Sequence, residues 1–306
     1  MQEIISGSKP LVSVIIPTYN HQAYIGEAIE SALLQTYKEI EVIVMDNFSI
    51  DNTEAIVNSY IKKNQRIRYE KFDNKGIIGL SRNVGIKMAK GDYIAFLDSD
   101  DIWFSNKLEK VMNVFAKNKW VDLVCHDEYH VKGQSKDIIG KGIYGPYKTY
   151  EQLLFKGNAL STSAVVVRKN KLFEAGLFSE DLNFVTAEDY DLWLKLSKIS
   201  RIVYLHEILG CWRVHDLSNS KNIDRHINNV LNVLYFHFSQ WSNKNLSYRH
   251  LKRKRISNAV RVGGRLLMKD GYFDIAMPYL LKAISIYPLS TKSWVSLFAC
   301  FFKLKL

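Results

Sequence analysis

Residues 93–102 read YIAFLDSDDI and join five apolar residues to three carboxylates within four positions. The apolar half is typical of a strand that enters a core, and the acidic half follows where that strand ends. Carboxylates this close repel each other and are costly to desolvate, so the cluster indicates a ligand-binding turn. The alternative is that Asp98, Ser99 or Asp101 caps a helix that starts near Ser105.

Strand and helix patterns alternate on the N-terminal side of this stretch. Strand patterns occupy LVSVIIPTYN (11–20), IEVIVMDN (40–47) and IRYEKF (67–72), and helical patterns occupy about 24–35, 53–64 and 80–91. Such alternation predicts βαβ units, and therefore an α/β fold with a mostly parallel sheet flanked by helices. Because ligands bind at the carboxyl ends of such strands, the clusters PTYN, DNFS and DSDD are expected to converge on one crevice.

The pattern changes after residue 120. VDLVCHDEYHV (121–131) and ALSTSAVVVRK (159–169) predict further strands, AEDYDLWLKLSKI (187–199) a helix, and IVYLHEILGCWRVHD (202–216) a strand pair. Only helical patterns follow. We therefore predict a catalytic domain over residues 1–220 and an all-helical C-terminal region over residues 221–306.

The basic excess of the chain lies in that C-terminal region. The 306 residues carry a net charge of +11, and residues 221–306 hold 15 Lys and Arg against 3 Asp and Glu. This asymmetry predicts an anionic partner. One hypothesis is docking on an anionic membrane surface through Trp294, Phe298, Phe301 and Phe302. The other is a helical cap packed on the catalytic domain. Nucleic acid is not expected, since no recognition motif accompanies the charge.

The remaining composition favours a cytoplasmic protein. Hydrophobic residues make up 47% and charged residues 24% of the chain, as in globular proteins. The polar start predicts no signal peptide, and the apolar run 294–302 is too short to span a bilayer. Three widely spaced cysteines, Cys125, Cys211 and Cys300, predict reduced thiols. The membrane hypothesis would place the protein peripherally on the inner face of the cell membrane.

The acidic turn has the chemistry of a divalent cation site. Carboxylates at a sheet edge suit Mn²⁺ or Mg²⁺, which also engage phosphates. A calcium loop is disfavoured, because DSDDIWFSNKLE has no glycine at its sixth position.

Five segments together resemble one enzyme family. They are SVIIPTYN (13–20), VIVMDNFSIDNT (42–53), RNVGIKMAKGDYIAFLDSDD (82–101), AEDYDLWLKL (187–196) and WRVH (212–215). In order and spacing they resemble glycosyltransferase family 2, the inverting, nucleotide-sugar-dependent enzymes of GT-A (Rossmann-like) fold. The resemblance covers about residues 10–220.

The resemblance implies a role for nine residues. Pro17 and Tyr19 would flank the nucleotide base, Asp46 would hydrogen-bond it, and Arg82 would approach the nucleotide. Asp98-Ser99-Asp100 matches the family's DXD motif, with Asp98 at the ribose and Asp100 on the metal. Asp189 matches the catalytic base, and His215 a histidine near the metal and diphosphate. Two departures stand out: Asn47 replaces a second acidic residue, and Phe48 a usual glycine.

The implied reaction is sugar transfer from a nucleotide diphosphate to a glycan or lipid-linked acceptor in surface polysaccharide biosynthesis. A UDP-sugar is the favoured donor, and the guanosine and thymidine forms stay open. One alternative is a phosphohydrolase of the haloacid dehalogenase type, which also has Asp-x-Asp after a strand. That motif belongs on the first core strand and carries Thr or Val where this chain has Ile102. The other is a non-catalytic sugar-nucleotide-binding or scaffold protein, which would not depend on Asp189.

Overall fold

The computed structural model describes residues 9–133, 135–139, 148–214, 223–242 and 245–304. Its strands are β1 (Val12–Thr18), β2 (Ile40–Asp46), β3 (Ile67–Lys71), β4 (Tyr93–Phe96), β5 (Ile102–Trp103), β6 (Leu123–Lys132), β7 (Ser135–Ile139), β8 (Val166–Arg168) and β9 (Ile202–Arg213). Its helices are α1 (Ile25–Leu33), α2 (Thr53–Ile61), α3 (Ile78–Met88), α4 (Lys107–Lys117), α5 (Thr149–Lys156), α6 (Lys169–Glu174), α7 (Glu188–Ile199), α8 (Ile223–Ser239), α9 (Leu246–Lys269), α10 (Phe273–Ile286) and α11 (Thr291–Phe301).

All nine strands form one mixed sheet in the order β3-β2-β1-β4-β8-β6-β9-β5, with β7 paired to β6. The strands β3, β2, β1 and β4 run parallel, and β8 is antiparallel to β4 and β6. Every residue of β1, β2 and β4 is buried, as expected for Val- and Ile-rich strands covered on both faces. The predicted α/β fold with flanking helices and a helical C-terminal region is confirmed, and the sheet is mixed, because β5, β7 and β8 pair antiparallel to their neighbours.

The parallel register brings three polar loops to one edge of the sheet. Thr18 pairs with Asp46 across β1 and β2, and the Leu97 amide donates to the Ile15 carbonyl at 3.1 Å. The loops after β1, β2 and β4 therefore start side by side at one edge of the sheet, as expected, while a shared crevice stays a prediction.

Two predicted elements differ from the observed ones. Residues 202–216 do not form a strand pair: β9 is one strand, whose first part pairs with β6 and whose end pairs with both β6 and β5. The register between β6 and β9 shifts twice, between His126 and Asp127 and between Asp127 and Tyr129, and β9 holds the extra residues. Residues 159–169 form a 3-10 turn (Thr162–Ala164) and the three-residue β8 rather than one long strand.

The chain falls into two compact units. The first is Met1–Thr149, Ala159–Glu180 and Lys195–His215, and it holds the sheet. The second is Tyr150–Asn158, Asp181–Leu194 and Asp216–Leu306, so it adds two internal segments to the C-terminal helices. The functional division at residue 220 stays a prediction.

Two smaller expectations concern the thiols and the membrane. Cys125, Cys211 and Cys300 are all free cysteines. No helix in the described part of the chain has the length and apolarity needed to cross a bilayer.

The close approach of Gly91 to β1 generates a stability prediction. A Cβ on Gly91 would lie 2.5 Å from the Leu11 carbonyl oxygen and 2.8 Å from Ser13 Oγ. We expect Gly91→Ala to lower the free energy of unfolding by about 1–3 kcal/mol in urea titrations followed by circular dichroism. Gly26→Ala is the matched control: its Cβ meets nothing closer than 3.5 Å and lies inside α1. The control should leave the free energy of unfolding unchanged or raise it. Equal effects of the two changes would contradict the close approach of Gly91 to β1.

Candidate active site

The acidic turn that follows β4 separates its carboxylates into two kinds. The Asp101 amide donates to the Asp98 carbonyl at 2.9 Å, which closes the turn. Asp101 points inward and is 2% exposed. Asp98 and Asp100 are only partly buried. The turn therefore presents Asp98 and Asp100 to the sheet edge, while Asp101 serves the interior.

Asp101 is held by the protein itself. One carboxylate oxygen accepts from Ser163 Oγ at 2.5 Å and the other from the Arg213 amide at 3.0 Å. Burial raises the pKa of Asp101 well above its usual value, and the neighbouring Asp100 carboxylate raises it further. Asp101 therefore does not join Asp98 and Asp100 at the surface, as the sequence pattern suggested. It does not cap α4 either, whose N-cap residue is Asn106.

Ser163 links four groups around the turn. Its hydroxyl accepts from the Asp98 amide at 3.0 Å while it donates to Asp101. Its carbonyl accepts from Trp103 Nε1 at 2.7 Å and from Lys107 Nζ at 2.6 Å. Ser163 is fully buried. A buried hydroxyl with these partners fixes the turn, because each bond would be costly to lose in the interior.

Lys107 is a buried lysine behind the turn. Its ammonium lies 3.4 Å from the centroid of the Trp103 ring. Burial lowers the pKa of Lys107 well below its usual value, and Glu128, Cys125 and Asp101 oppose that shift. The indole face and the Ser163 carbonyl together stabilise the charge.

Two arginines orient the exposed side of the turn. Arg82 Nη2 donates to Asp98 Oδ1 at 2.7 Å, and the Arg82 guanidinium lies 5.3 Å from the centroid of the Phe178 ring. Arg213 Nε donates to the Asp100 carbonyl, and its guanidinium also pairs with Glu27. Arg82 was predicted to approach the nucleotide. Arg213 was missed, although its WRVH segment had been singled out, because the residue alone gave no sign of its distant partners.

The loop after β1 adds further polar contacts at the same edge. His21 Nδ1 and Ser99 Oγ lie 2.5 Å apart in a hydrogen bond. Ser99 itself is buried. The loop after β1 and the acidic turn are thereby joined.

The residues predicted to contact the base lie on β1, β2 and their loops. Pro17 is buried inside β1, opposite Met45, and Tyr19 is 51% exposed just after the strand. Asp46 is fully buried: Oδ1 accepts from the Ser49 amide at 2.9 Å and hydroxyl at 2.6 Å, and Oδ2 accepts from the Tyr69 hydroxyl at 2.5 Å. Its contact with a base stays a prediction.

The departure at Phe48 has a visible backbone consequence. Phe48 has φ 56°, the left-handed region that favours glycine, and its side chain is 53% exposed. The adjacent Asn47 amide donates to the Thr18 carbonyl at 3.0 Å, and the Asn20 amide donates to Ser49 Oγ at 2.9 Å. These bonds hold the loop in a conformation whose positive φ at residue 48 is usually adopted by glycine.

Asp189 belongs to the second unit, whereas Asp98 and Asp100 belong to the first. It is the second residue of α7 and is partly buried. Its Oδ2 accepts from Asn158 Nδ2 at 3.2 Å, and its Oδ1 accepts from the Tyr190 amide at 2.6 Å. Carboxylates in the first turn of a helix are favoured by the helix dipole.

The oxygen ligands of the turn fit a hard divalent cation. Mg²⁺ and Mn²⁺ accept one or two carboxylates and fill their other positions with water and phosphate. Among the residues that the structure describes, no three His, Cys, Asp or Glu form a metal-binding group. His215, predicted near the metal, lies outside the described residues. Among the described residues the turn would therefore supply Asp100 to the metal, with Asp98 beside it for the nucleotide, rather than a complete cage.

Comparisons with known proteins show the family and the fold of this chain. The model of glycosyl transferase family 2 matches residues 13–175, which is more than half of the chain. The chain is similar to an uncharacterized glycosyltransferase of Rickettsia typhi, 37% identical over 76% of this chain and 71% of that protein. It spans only 35% to 38% of several longer rickettsial relatives. It is also similar to the Escherichia coli UDP-Glc:alpha-D-GlcNAc-diphosphoundecaprenol beta-1,3-glucosyltransferase WfaP, 34% identical over 73% of this chain and 85% of that protein.

Two solved structures share the fold. The Staphylococcus aureus TarS fragment 1–349 in complex with UDP-GlcNAc aligns with TM-score 0.66 and 20% identity, over 96% of this chain and 88% of that one. The mannosyltransferase PcManGT of Pyrobaculum calidifontis, in complex with GDP-Man and Mn²⁺, aligns with TM-score 0.63 and 17% identity, over 96% and 86%. The chain therefore belongs to glycosyl transferase family 2 and is a glycosyltransferase of GT-A fold.

Proposed function

We propose that this glycosyltransferase is metal-dependent and inverting, and that it moves a sugar from a UDP-sugar to a glycan or lipid-linked acceptor in surface polysaccharide biosynthesis. The observation that carries the proposal is the acidic turn, in which Ser163 and Asp101 anchor the backbone while Asp98 and Asp100 remain at the sheet edge. The names of two similar proteins support the donor and acceptor classes, since WfaP is a UDP-Glc transferase acting on a diphosphoundecaprenol and TarS binds UDP-GlcNAc.

The donor would be held by residues of the first unit. Asp100, with His215, would coordinate Mn²⁺ or Mg²⁺, which neutralises the charge that develops on the leaving diphosphate. Asp98 and Ser99 would contact the sugar-nucleotide, with Asp98 oriented by Arg82 at 2.7 Å. Pro17, Tyr19 and Asp46 would surround the base.

Asp189 would be the general base. An inverting displacement needs one base that takes the proton of the acceptor hydroxyl. The partly buried carboxylate of Asp189 accepts hydrogen bonds from Asn158 and from the Tyr190 amide, which orient it, and a carboxylate is a suitable general base for this step. Neither alternative class is favoured: the acidic turn follows the fourth strand rather than the first, and a scaffold needs no such carboxylate.

We propose that α11 docks on an anionic membrane surface, which would hold the enzyme at the inner face of the membrane beside a lipid-linked acceptor. The helix buries its small residues Ser293, Ser296, Ala299 and Cys300. Most of its large side chains face outward: Trp294, Val295, Phe298 and Phe301 in the helix, and Phe302 and Leu304 just after it, are all at least half exposed. Leu297 is the exception, because it packs against the buried residues of the C-terminal helices. This inverted pattern, beside Lys292 and Lys303, suits an interfacial helix better than a packed cap.

The metal role of Asp100 is tested by calorimetric titration with UDP, GDP and dTDP, each with and without Mn²⁺. We expect the wild-type protein to bind UDP most tightly, and only with Mn²⁺. Asp100→Ala should weaken that binding by about tenfold or more, because it removes a ligand of the cation. Asp137→Ala, an exposed carboxylate on β7, is the control. Unchanged UDP affinity of Asp100→Ala in Mn²⁺ would contradict the metal role.

The membrane role of α11 is tested by sedimentation with vesicles of phosphatidylglycerol and of phosphatidylcholine. We expect the wild-type protein to sediment with the anionic vesicles. The change of Trp294, Phe298 and Phe301 to Ser should weaken binding at least about tenfold, because it removes apolar area from the interface. The same change at Leu182, Leu246 and Leu289, which are exposed elsewhere in the second unit, is the matched control. Equal partitioning of both triple variants would contradict the proposal.

A further inference from the structure

The segment that carries Asp189 packs within its unit against α8, which lies outside the span of the family model. The segment consists of a 3-10 turn (Leu182–Phe184) and the first turn of α7. The ring of Phe236 on α8 lies 5.9 Å from that of Phe184. The immediate support of the candidate base is therefore supplied by a helix from the C-terminal region.

Three polar side chains of α8 hold the segment ahead of Asp189. His226 Nδ1 donates to the Thr186 carbonyl at 3.0 Å, and Asn229 Nδ2 donates to Thr186 Oγ1 at 3.1 Å. Asn232 Nδ2 donates to the Asn183 carbonyl at 3.3 Å. Their spacing of three residues puts them on one side of α8. This side of α8 carries polar residues, whereas a helix whose contacts were purely hydrophobic would carry apolar residues there.

The fourth contact is a fully buried pair. His237 Nε2 donates to Asp191 Oδ1 at 3.0 Å, and both side chains have no exposed surface. The Tyr150 hydroxyl lies 3.4 Å from His237 Nδ1, and burial raises the pKa of Tyr150 to about 12, so this phenol stays protonated. The Tyr150 ring is stacked on Trp241, 5.8 Å between centroids. A buried polar pair stabilises a fold less well than apolar side chains of the same size. Its presence therefore indicates that the orientation of Asp191 matters.

The geometry of α7 connects this pair to Asp189. Two residues along an α-helix are rotated by about 200°, so Asp191 and Asp189 leave the helix on nearly opposite sides. A bond that fixes Asp191 on the buried side therefore fixes the direction of Asp189 on the other. Asn158, which donates to Asp189, and the Tyr190 hydroxyl, which donates to the Leu153 carbonyl at 2.7 Å, hold the same turn from a second segment.

We propose that His237 is a positioning residue for the transfer reaction, acting through Asp191 to aim the carboxylate of Asp189. The inference rests on the proposed role of Asp189 as the base. It makes the C-terminal helices part of the catalytic apparatus, independently of any membrane contact. It also predicts a separation of effects, because the donor-binding residues belong to the first unit.

The test compares His237→Leu with His237→Gln, whose side-chain nitrogen can take the place of Nε2. Release of UDP from UDP-glucose or UDP-GlcNAc gives kcat and KM, and calorimetry with UDP and Mn²⁺ gives donor-site affinity. A misplacement of about 1 Å costs on the order of 100-fold in rate. We therefore expect kcat to fall at least about tenfold in His237→Leu and to recover in His237→Gln, with UDP affinity unchanged in both. His250→Leu is the matched control, since His250 lies on α9 and bonds Tyr287 instead.

The outcomes separate this inference from the proposed function. If Asp189→Asn abolishes turnover while His237→Leu keeps the wild-type kcat, the positioning role is wrong and the proposed base stands. If Asp189→Asn has no effect, the proposed base and the positioning role both fail. A parallel loss of kcat and UDP affinity in His237→Leu would show a general structural role and overturn the inference. If His237→Leu does not fold, His237→Asn takes its place, because the shorter amide of asparagine does not reach Asp191. A kcat of His237→Asn equal to that of His237→Gln would overturn the inference.

Discussion

The burial of Asp101 is the constraint on which the candidate donor site depends. A carboxylate in the interior is costly unless it is hydrogen-bonded, and Ser163 and the Arg213 amide supply those bonds. Each of these bonds would be costly to lose in the interior, so the turn has one strongly preferred shape. Because Asp101 is anchored, the backbone carries Asp98 and Asp100 to the sheet edge in fixed positions. Asp101 thus fixes the backbone that positions Asp98 and Asp100.

The sequence predicted the part of the molecule that depends on local pattern. Apolar runs rich in Val and Ile indicated β1, β2 and β4, and the polar residues after them indicated one shared edge. The role of Asp101 escaped prediction because its partner Ser163 is 62 residues away and sits in a segment that resembled a strand. Similarly, residues 202–216 were predicted to form a strand pair, whereas β9 is one strand in which Gly210 pairs with the distant Trp103. Contacts across such separations leave no periodic signal.

The same limit applies to the candidate base. The AEDYD segment marked Asp189, but its supports are Asn158 from one stretch and His237 from another. A histidine or an asparagine on an amphipathic helix does not reveal its partner. The sequence of α8 therefore predicted a helix and nothing about its contacts. Within the second unit, polar contacts add to the packing of Phe184 on Phe236 in specifying the position of this turn. That arrangement favours orientation over stability, as functional sites commonly do.

The most direct test of the account is the turnover of Asp189→Asn measured beside its affinity for UDP. The substitution keeps size and shape but removes the basic carboxylate that the transfer needs. The account predicts that UDP release from UDP-glucose or UDP-GlcNAc falls by about 100-fold or more, while UDP binding in Mn²⁺ stays at the wild-type level. Turnover at the wild-type rate would contradict the assignment of Asp189 as the base and, with it, the single-base inverting mechanism.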